Sequence, residues 1–123
     1  MCKILVVEDE VIVAENLKQM LVGACHNAVL VGMVDDGNAA IEIAKETLPD
    51  IIIMDITLRG DLDGVRTAIL IQRQLAPTTI SVIFTSAHEI EEYGSSDLSC
   101  GYKCIKKPYS DKDILDAIQQ FCP

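Results

Sequence analysis

The sequence predicts a doubly wound α/β fold: a single three-layer α/β/α sandwich built on a five-stranded, mostly parallel sheet. Three observations carry this expectation. Five short apolar runs are spread evenly along the chain, segments of helical period lie between them, and three of the runs are apolar without interruption, as suits strands covered on both faces. Right-handed crossovers between parallel strands then place helices on both faces of the sheet. No repeat, linker or low-complexity stretch divides the 123 residues, so residues 1–123 are expected to form one domain with a single core.

The first run is Ile4 to Val7, followed by a helix with Val13, Leu17, Met20 and Leu21 on one face, which Gly23 is placed to end. The second run, Val29 to Val34, leads to Asp35 and Asp36. An aspartate before Gly37 and Asn38 suits the cap of a helix whose stripe is Ala40, Ile41, Ala44 and Leu48, ended by Pro49. The third run, Ile51 to Met54, precedes a stripe of Val65, Ala68, Ile69 and Leu75 that stops near Pro77. After the fourth run, Ile80 to Phe84, residues 88–99 carry Gly94 and several serines and offer only Ile90, Tyr93 and Leu98 as anchors, so a short or mobile helix is expected there. The fifth run, Tyr102 to Ile105, mixes in lysines as an edge strand would. Ser110 with Asp113 three residues on then caps a last helix buried through Ile114, Leu115, Ile118 and Phe121.

Composition narrows the function. Nineteen acidic against ten basic residues give a net charge of −9, which repels nucleic-acid phosphates and anionic membrane surfaces. No apolar run approaches the roughly 20 residues of a membrane span, and Glu8, Asp9 and Glu10 interrupt the stretch where a signal peptide is apolar. A soluble, cytoplasmic protein is expected. Cys2, Cys25, Cys100, Cys104 and Cys122 form an odd, scattered set without a Cys-x-x-Cys pair, which reads as reduced, half-buried thiols rather than a disulfide framework. Cys100, Cys104 and His88 lack the second spaced pair that a zinc site needs.

In an open α/β sheet, ligands bind outside the carboxyl ends of the strands. Those ends are unusually polar here: Glu8 and Asp9 after the first run, Asp55 after the third, Thr85 and Ser86 after the fourth, Lys106 and Lys107 after the fifth. Carboxylates gathered at one sheet edge repel one another, and a hard divalent cation such as Mg²⁺ is the simplest compensation. A lysine and a hydroxyl beside them complete a site for a phosphoryl group, towards which a carboxylate can act as nucleophile.

In order, Glu8-Asp9, Asp55, Thr85-Ser86-Ala87 and Lys107-Pro108 resemble the motifs of the receiver domains of two-component response regulators, and the resemblance covers the whole chain. It implies the (βα)5, flavodoxin-like receiver fold and a phosphorylation-controlled signalling switch. By that resemblance Asp55 is the phosphoacceptor, with Asp9 and Asp55 as direct Mg²⁺ ligands, Glu8 acting nearby through water, and the backbone carbonyl of Thr57 completing the protein ligands. Thr85 and Lys107 would engage the phosphoryl oxygens. The donor would be a histidine kinase or phosphotransfer protein. The downstream partner would dock on the face of the fourth predicted helix, fifth strand and fifth helix, with no direct contact to nucleic acid or membrane. Such a domain assists its own phosphorylation and dephosphorylation and is not an enzyme with a separate substrate; Thr57 and Ala87 would flank the path of the hydrolytic water.

Three departures from the family pattern stand out. The run Ile56 to Gly64 is longer than the usual loop and lacks its proline. Cys104 occupies the place of the switch aromatic, with Tyr102 two residues earlier on the same face of a strand, placed either to replace it or simply to pack. The weak fourth helix lies where partners commonly dock. Two alternatives follow, a docking module independent of phosphate and an aspartyl-phosphate phosphatase. The latter's motif wants a second aspartate where Thr57 stands. A free-standing receiver and the N-terminal part of a longer regulator are both compatible with the chain.

Overall fold

The computed structural model describes residues 1–24, 27–58, 60, 62–87 and 101–122. Its elements alternate: β1 (Cys2–Val7), α1 (Val11–Ala24), β2 (Ala28–Val34), α2 (Gly37–Thr47), β3 (Ile51–Asp55), α3 (Gly64–Leu75), β4 (Ser81–Ser86), β5 (Tyr102–Lys106) and α4 (Asp111–Phe121). All five expected strands are present, and the sheet is parallel throughout in the order β2-β1-β3-β4-β5. The fourth predicted helix falls in residues 88–99, outside the described residues, so the last helix of the sequence reading is α4 here.

The sheet divides its apolar residues by the two-residue period of a strand. Leu5, Val7, Ile52, Met54, Val82 and Phe84 face α2 and α3, where Ala40, Ala44, Ala68 and Ile71 cover them. Ile4, Val6, Ile51, Ile53 and Ile83 face the other way, against Leu17, Met20 and Leu21 of α1 and Ile114, Ala117 and Ile118 of α4. The expected single core is therefore two apolar layers with the sheet between them. Strands β1, β3 and β4 are buried almost end to end, while β2 and β5 form the edges and are more open.

The Asp36 and Ser110 caps follow the sequence, and Asp63 is a further cap not singled out there. Asp36 accepts a 2.7 Å hydrogen bond from the Ala39 N–H at the start of α2, Asp63 does the same for Arg66 at the start of α3, and Ser110 and Asp113 form a reciprocal capping box on α4. Two expectations are corrected. Gly23 does not end α1, which runs on to Ala24. Leu48 is not part of the buried stripe of α2; it is the C-cap, in the left-handed region at φ 47°, with its side chain exposed.

Cysteine pairing needs a larger correction. Cys2 and Cys122 form a disulfide across 120 residues of sequence. Each helix returns the chain to the amino ends of the strands, so α4 finishes beside the start of β1. Cys104 is free, and burial pushes its thiol up from its ordinary value. Cys25 and Cys100 lie outside the described residues.

Candidate phosphoacceptor site

The strand order sets the site. With β1 beside β3, β3 beside β4 and β4 beside β5, the carboxyl ends of four strands adjoin, and β1 is also where the sheet reverses direction of growth. Glu8 and Asp9 follow β1, Asp55 ends β3 opposite Thr85 on β4, and Lys107 follows β5. Four hydrogen bonds hold these ends in place: Glu8 N–H to the Val34 carbonyl (3.0 Å), Ile56 N–H to Thr85 (3.0 Å), Gly64 N–H to Ile56 (2.8 Å) and Lys107 N–H to Ser86 (2.7 Å). The bond from Gly64 closes the long loop after Asp55. A Cβ on Gly64 would strike the Asp55 carbonyl oxygen and lie 2.8 Å from the Ile56 Cα, so this close approach requires glycine.

Glu8 and Asp55 are each only 4% exposed. Glu8, Asp9 and Asp55 bring carboxylate oxygens within 4.8 Å of one another. Lys107 Nζ spans the gap, 3.2 Å from Glu8 Oε1 and 3.5 Å from Asp55 Oδ2. The Thr57 N–H donates to Asp55 Oδ1 at 3.1 Å, and the Glu10 N–H to Glu8 Oε2 at 3.2 Å. One ammonium does not neutralise three carboxylates. Burial, followed by a hydrogen bond to Asp55, raises the Glu8 carboxyl from the ordinary 4.5 to about 7. Burial by itself would lower the Lys107 ammonium, but Glu8 and Asp55 outweigh it and its pKa is raised.

These donors fit a small hard cation. All are oxygens, the cluster carries surplus negative charge, and donor oxygens on an octahedral Mg²⁺ lie about 3 Å apart when adjacent and about 4 Å when opposite, within the span observed. The structure thus gathers Glu8, Asp9, Asp55 and Lys107 into one cluster. Thr85 is buried one strand away, beside Asp55 in register. Thr57 is exposed and reaches Asp55 through its N–H.

Tyr109 was not singled out from the sequence. Its phenol is raised to about 12 by burial and by the negative charge of Glu8 and Asp55, and with Lys107, Pro108, Ala87 and the Val13–Leu17–Met20 side of α1 it lines a groove of about 790 Å³ next to the site. Its place two residues after Lys107 was the available signal. At β5, Cys104 lies opposite Phe84 and Tyr102 meets the Phe84 ring edge-on at 6.1 Å, so both lie on one face, as expected, and Cys104 packs against the α2–α3 layer.

Known proteins share the sequence family and the fold of this chain. The sequence profile described as the response regulator receiver domain matches residues 4–119. The chain is 30% identical over 118 residues to the transcriptional regulatory protein PdtaR of Mycobacterium tuberculosis, covering 95% of this chain and 55% of PdtaR. It is likewise 30% identical to the response regulator protein VraR of Staphylococcus aureus, covering 96% of this chain and 55% of VraR. The chain thus spans about half the length of these curated relatives. Among solved structures, the signal receiver domain of the putative response regulator NarL from Mycobacterium tuberculosis superposes with a TM-score of 0.82 at 26% identity, over 97% of this chain and 94% of that one. The signal receiver domain of a modulated diguanylate cyclase from Desulfovibrio desulfuricans G20 gives 0.78 at 29% identity, over 97% and 91%.

Proposed function

The chain belongs to the response regulator receiver domain family, and on that premise we propose that it is a phosphorylation-controlled switch whose phosphoacceptor is Asp55. The observation that carries this reading is the placement of the Asp55 carboxylate between two other carboxylates and the Lys107 ammonium at the carboxyl edge of the sheet. An Asp55 oxygen attacks the phosphorus of a phosphohistidine on a histidine kinase or phosphotransfer protein. The P–N bond breaks, and the imidazole leaves and takes a proton. Asp9, Asp55 and the Thr57 carbonyl, with Glu8 alongside, would hold Mg²⁺, which would supply charge neutralisation for the transferring phosphoryl group.

The chain's own residues then register the product. Lys107, tied to Glu8 and Asp55 in this structure, moves to the phosphoryl oxygens, and the Thr85 hydroxyl donates to them from the adjacent strand. Thr85 is on β4 beside β5 and Lys107 directly follows β5, next to β5 and α4, the described part of the proposed docking face. The whole chain, residues 1–123, is taken as one receiver domain. It acts on no separate substrate and works in the cytoplasm through protein partners. Among the described residues no helix is long and apolar enough to cross a membrane, which is compatible with that placement.

Intact mass after incubation with acetyl phosphate tests the reading. One phosphoryl adduct is expected in the wild type with Mg²⁺, and none with chelator or in Asp55→Asn. A folded wild-type protein that stays unmodified with both acetyl phosphate and a cognate kinase would leave the phosphate-independent docking module in its place.

A further inference from the structure

We propose that the Cys2–Cys122 pair is a thiol–disulfide exchange site, addressed by a low-molecular-weight thiol of the glutathione class and entered at Cys122. The site is remote from the phosphoacceptor cluster, since Cys2 begins β1 and Cys122 follows α4 at the opposite end of the sheet from Asp55. The two cysteines are unequal. Cys2 is 8% exposed, inside the layer formed by Ile4, Ile114 and Ile118, and its N–H is tied to the Asn27 carbonyl at 2.8 Å. Cys122 is half-buried, beyond the helix end. An open groove of about 210 Å³, lined by Asn27, Ala28, Leu115, Ile118 and Gln119, runs along the bond and gives a small thiol access to it.

The bond is not what buries α4. Ile114, Ala117 and Ile118 bury the inner face of α4 by apolar packing. What the bond adds is a clasp on the last helical turn, which keeps Phe121 beside Gly101 at the entry to β5; a Cβ on Gly101 would be 3.2 Å from the Phe121 ring. Disulfides are rare in reducing compartments, and those found there are mostly reversible.

The exchange balances as follows. A thiolate attacks the Cys122 sulfur, the Cys2–Cys122 bond breaks, and Cys2 leaves as a thiolate and takes a proton. A second thiol attacks the outer sulfur of the mixed disulfide and releases the small-molecule disulfide, and the Cys122 thiolate is protonated. Two small thiols are oxidised and the protein disulfide is reduced to two thiols; the small-molecule disulfide drives the reverse.

The test equilibrates the whole protein in glutathione buffers from oxidised to reduced, quenches in acid, alkylates, and locates each thiol by peptide mass, so that Cys25, Cys100 and Cys104 are scored separately. Oxidised buffer should give the linked Cys2–Cys122 peptides. Reduced buffer should open them without denaturant, with the glutathione adduct appearing on Cys122 before Cys2. Amide exchange should then quicken over residues 118–122 while β1 and β3 stay protected, and Tm should fall by on the order of 10 °C. In single variants, Cys122 in Cys2→Ser should accept glutathione from its disulfide at least tenfold faster than Cys2 does in Cys122→Ser. Unlinked thiols in oxidised buffer, a bond that resists excess glutathione in the native protein, or adducts arriving first on Cys2 would each overturn the proposal.

Discussion

Replacing Gly64 by alanine probes how tightly the sheet edge is built. The added methyl would collide with the Asp55 carbonyl oxygen and the Ile56 Cα, and both are backbone, so no side chain can rotate out of the way. The chain is also pinned there, because the Gly64 N–H donates to the Ile56 carbonyl at 2.8 Å and Asp63 beside it caps α3. Overpacking of this kind costs about 3 kcal/mol, and the better helix propensity of alanine offsets at most about 1 kcal/mol of it. A net loss of about 2 kcal/mol or more follows, a fall in Tm of roughly 10 °C for a chain of this size. Far-UV circular dichroism during urea and thermal unfolding measures it, since the protein has no tryptophan. Gly23→Ala is the matched opposite. A Cβ at Gly23 has nothing within 4 Å and the residue lies inside α1, so alanine should stabilise by about 0.5–1 kcal/mol. If Gly64→Ala unfolds within about 0.5 kcal/mol of wild type, the argument from close approach is refuted. The same substitution shifts the backbone that carries Asp55, so the folded variant should also take up phosphoryl groups from acetyl phosphate more slowly than wild type.

The other predictions concern charge and caps. Because burial and the Asp55 hydrogen bond raise Glu8 from 4.5 to about 7, the folded state, free of divalent cation, holds a proton that the unfolded state releases between those values. This contribution to stability is fully present below about pH 4.5 and is lost as pH rises through about 7. Between pH 4.5 and 8, wild type should therefore lose about 3 kcal/mol relative to Glu8→Gln, and urea titrations in chelator that find no difference, or the opposite sign, would contradict it. Lys107→Ala removes the cation that bridges Glu8 and Asp55; Glu8 should then titrate higher still, which carboxyl chemical shifts followed against pH would report. Ser110→Ala breaks the capping box of α4 and should destabilise by about 1 kcal/mol in the same unfolding assay.

Much of this architecture was legible because it rests on local rules. Continuous apolar runs gave the interior strands, since a strand covered on both faces has no polar side, and the Asp36 and Ser110 caps declared themselves through hydrogen bonds only three residues long. The errors have physical causes as well. Gly23 read as a stop because glycine favours helix ends, yet α1 continues through it with open space beside the residue. Leu48 read as buried because it continues the spacing of Ala40, Ile41 and Ala44, but the helix has ended by then and the backbone turns the side chain outward. Residues 88–99 lie outside the described residues.

The sequence by itself determined which residues end the strands, and in a parallel sheet the strand ends meet at one edge, so Glu8, Asp9, Asp55, Thr85 and Lys107 could be nominated together before any contact was known. Their spacing and charge balance were decided only in three dimensions. Lys107 meets Glu8 across 99 residues of sequence because β1, β3, β4 and β5 stand side by side, and burial of the surplus carboxylates raises Glu8. Cys2 and Cys122 show the limit most plainly. Nothing local links residues 120 apart, and the pair exists because α4 carries the chain back to the amino end of β1.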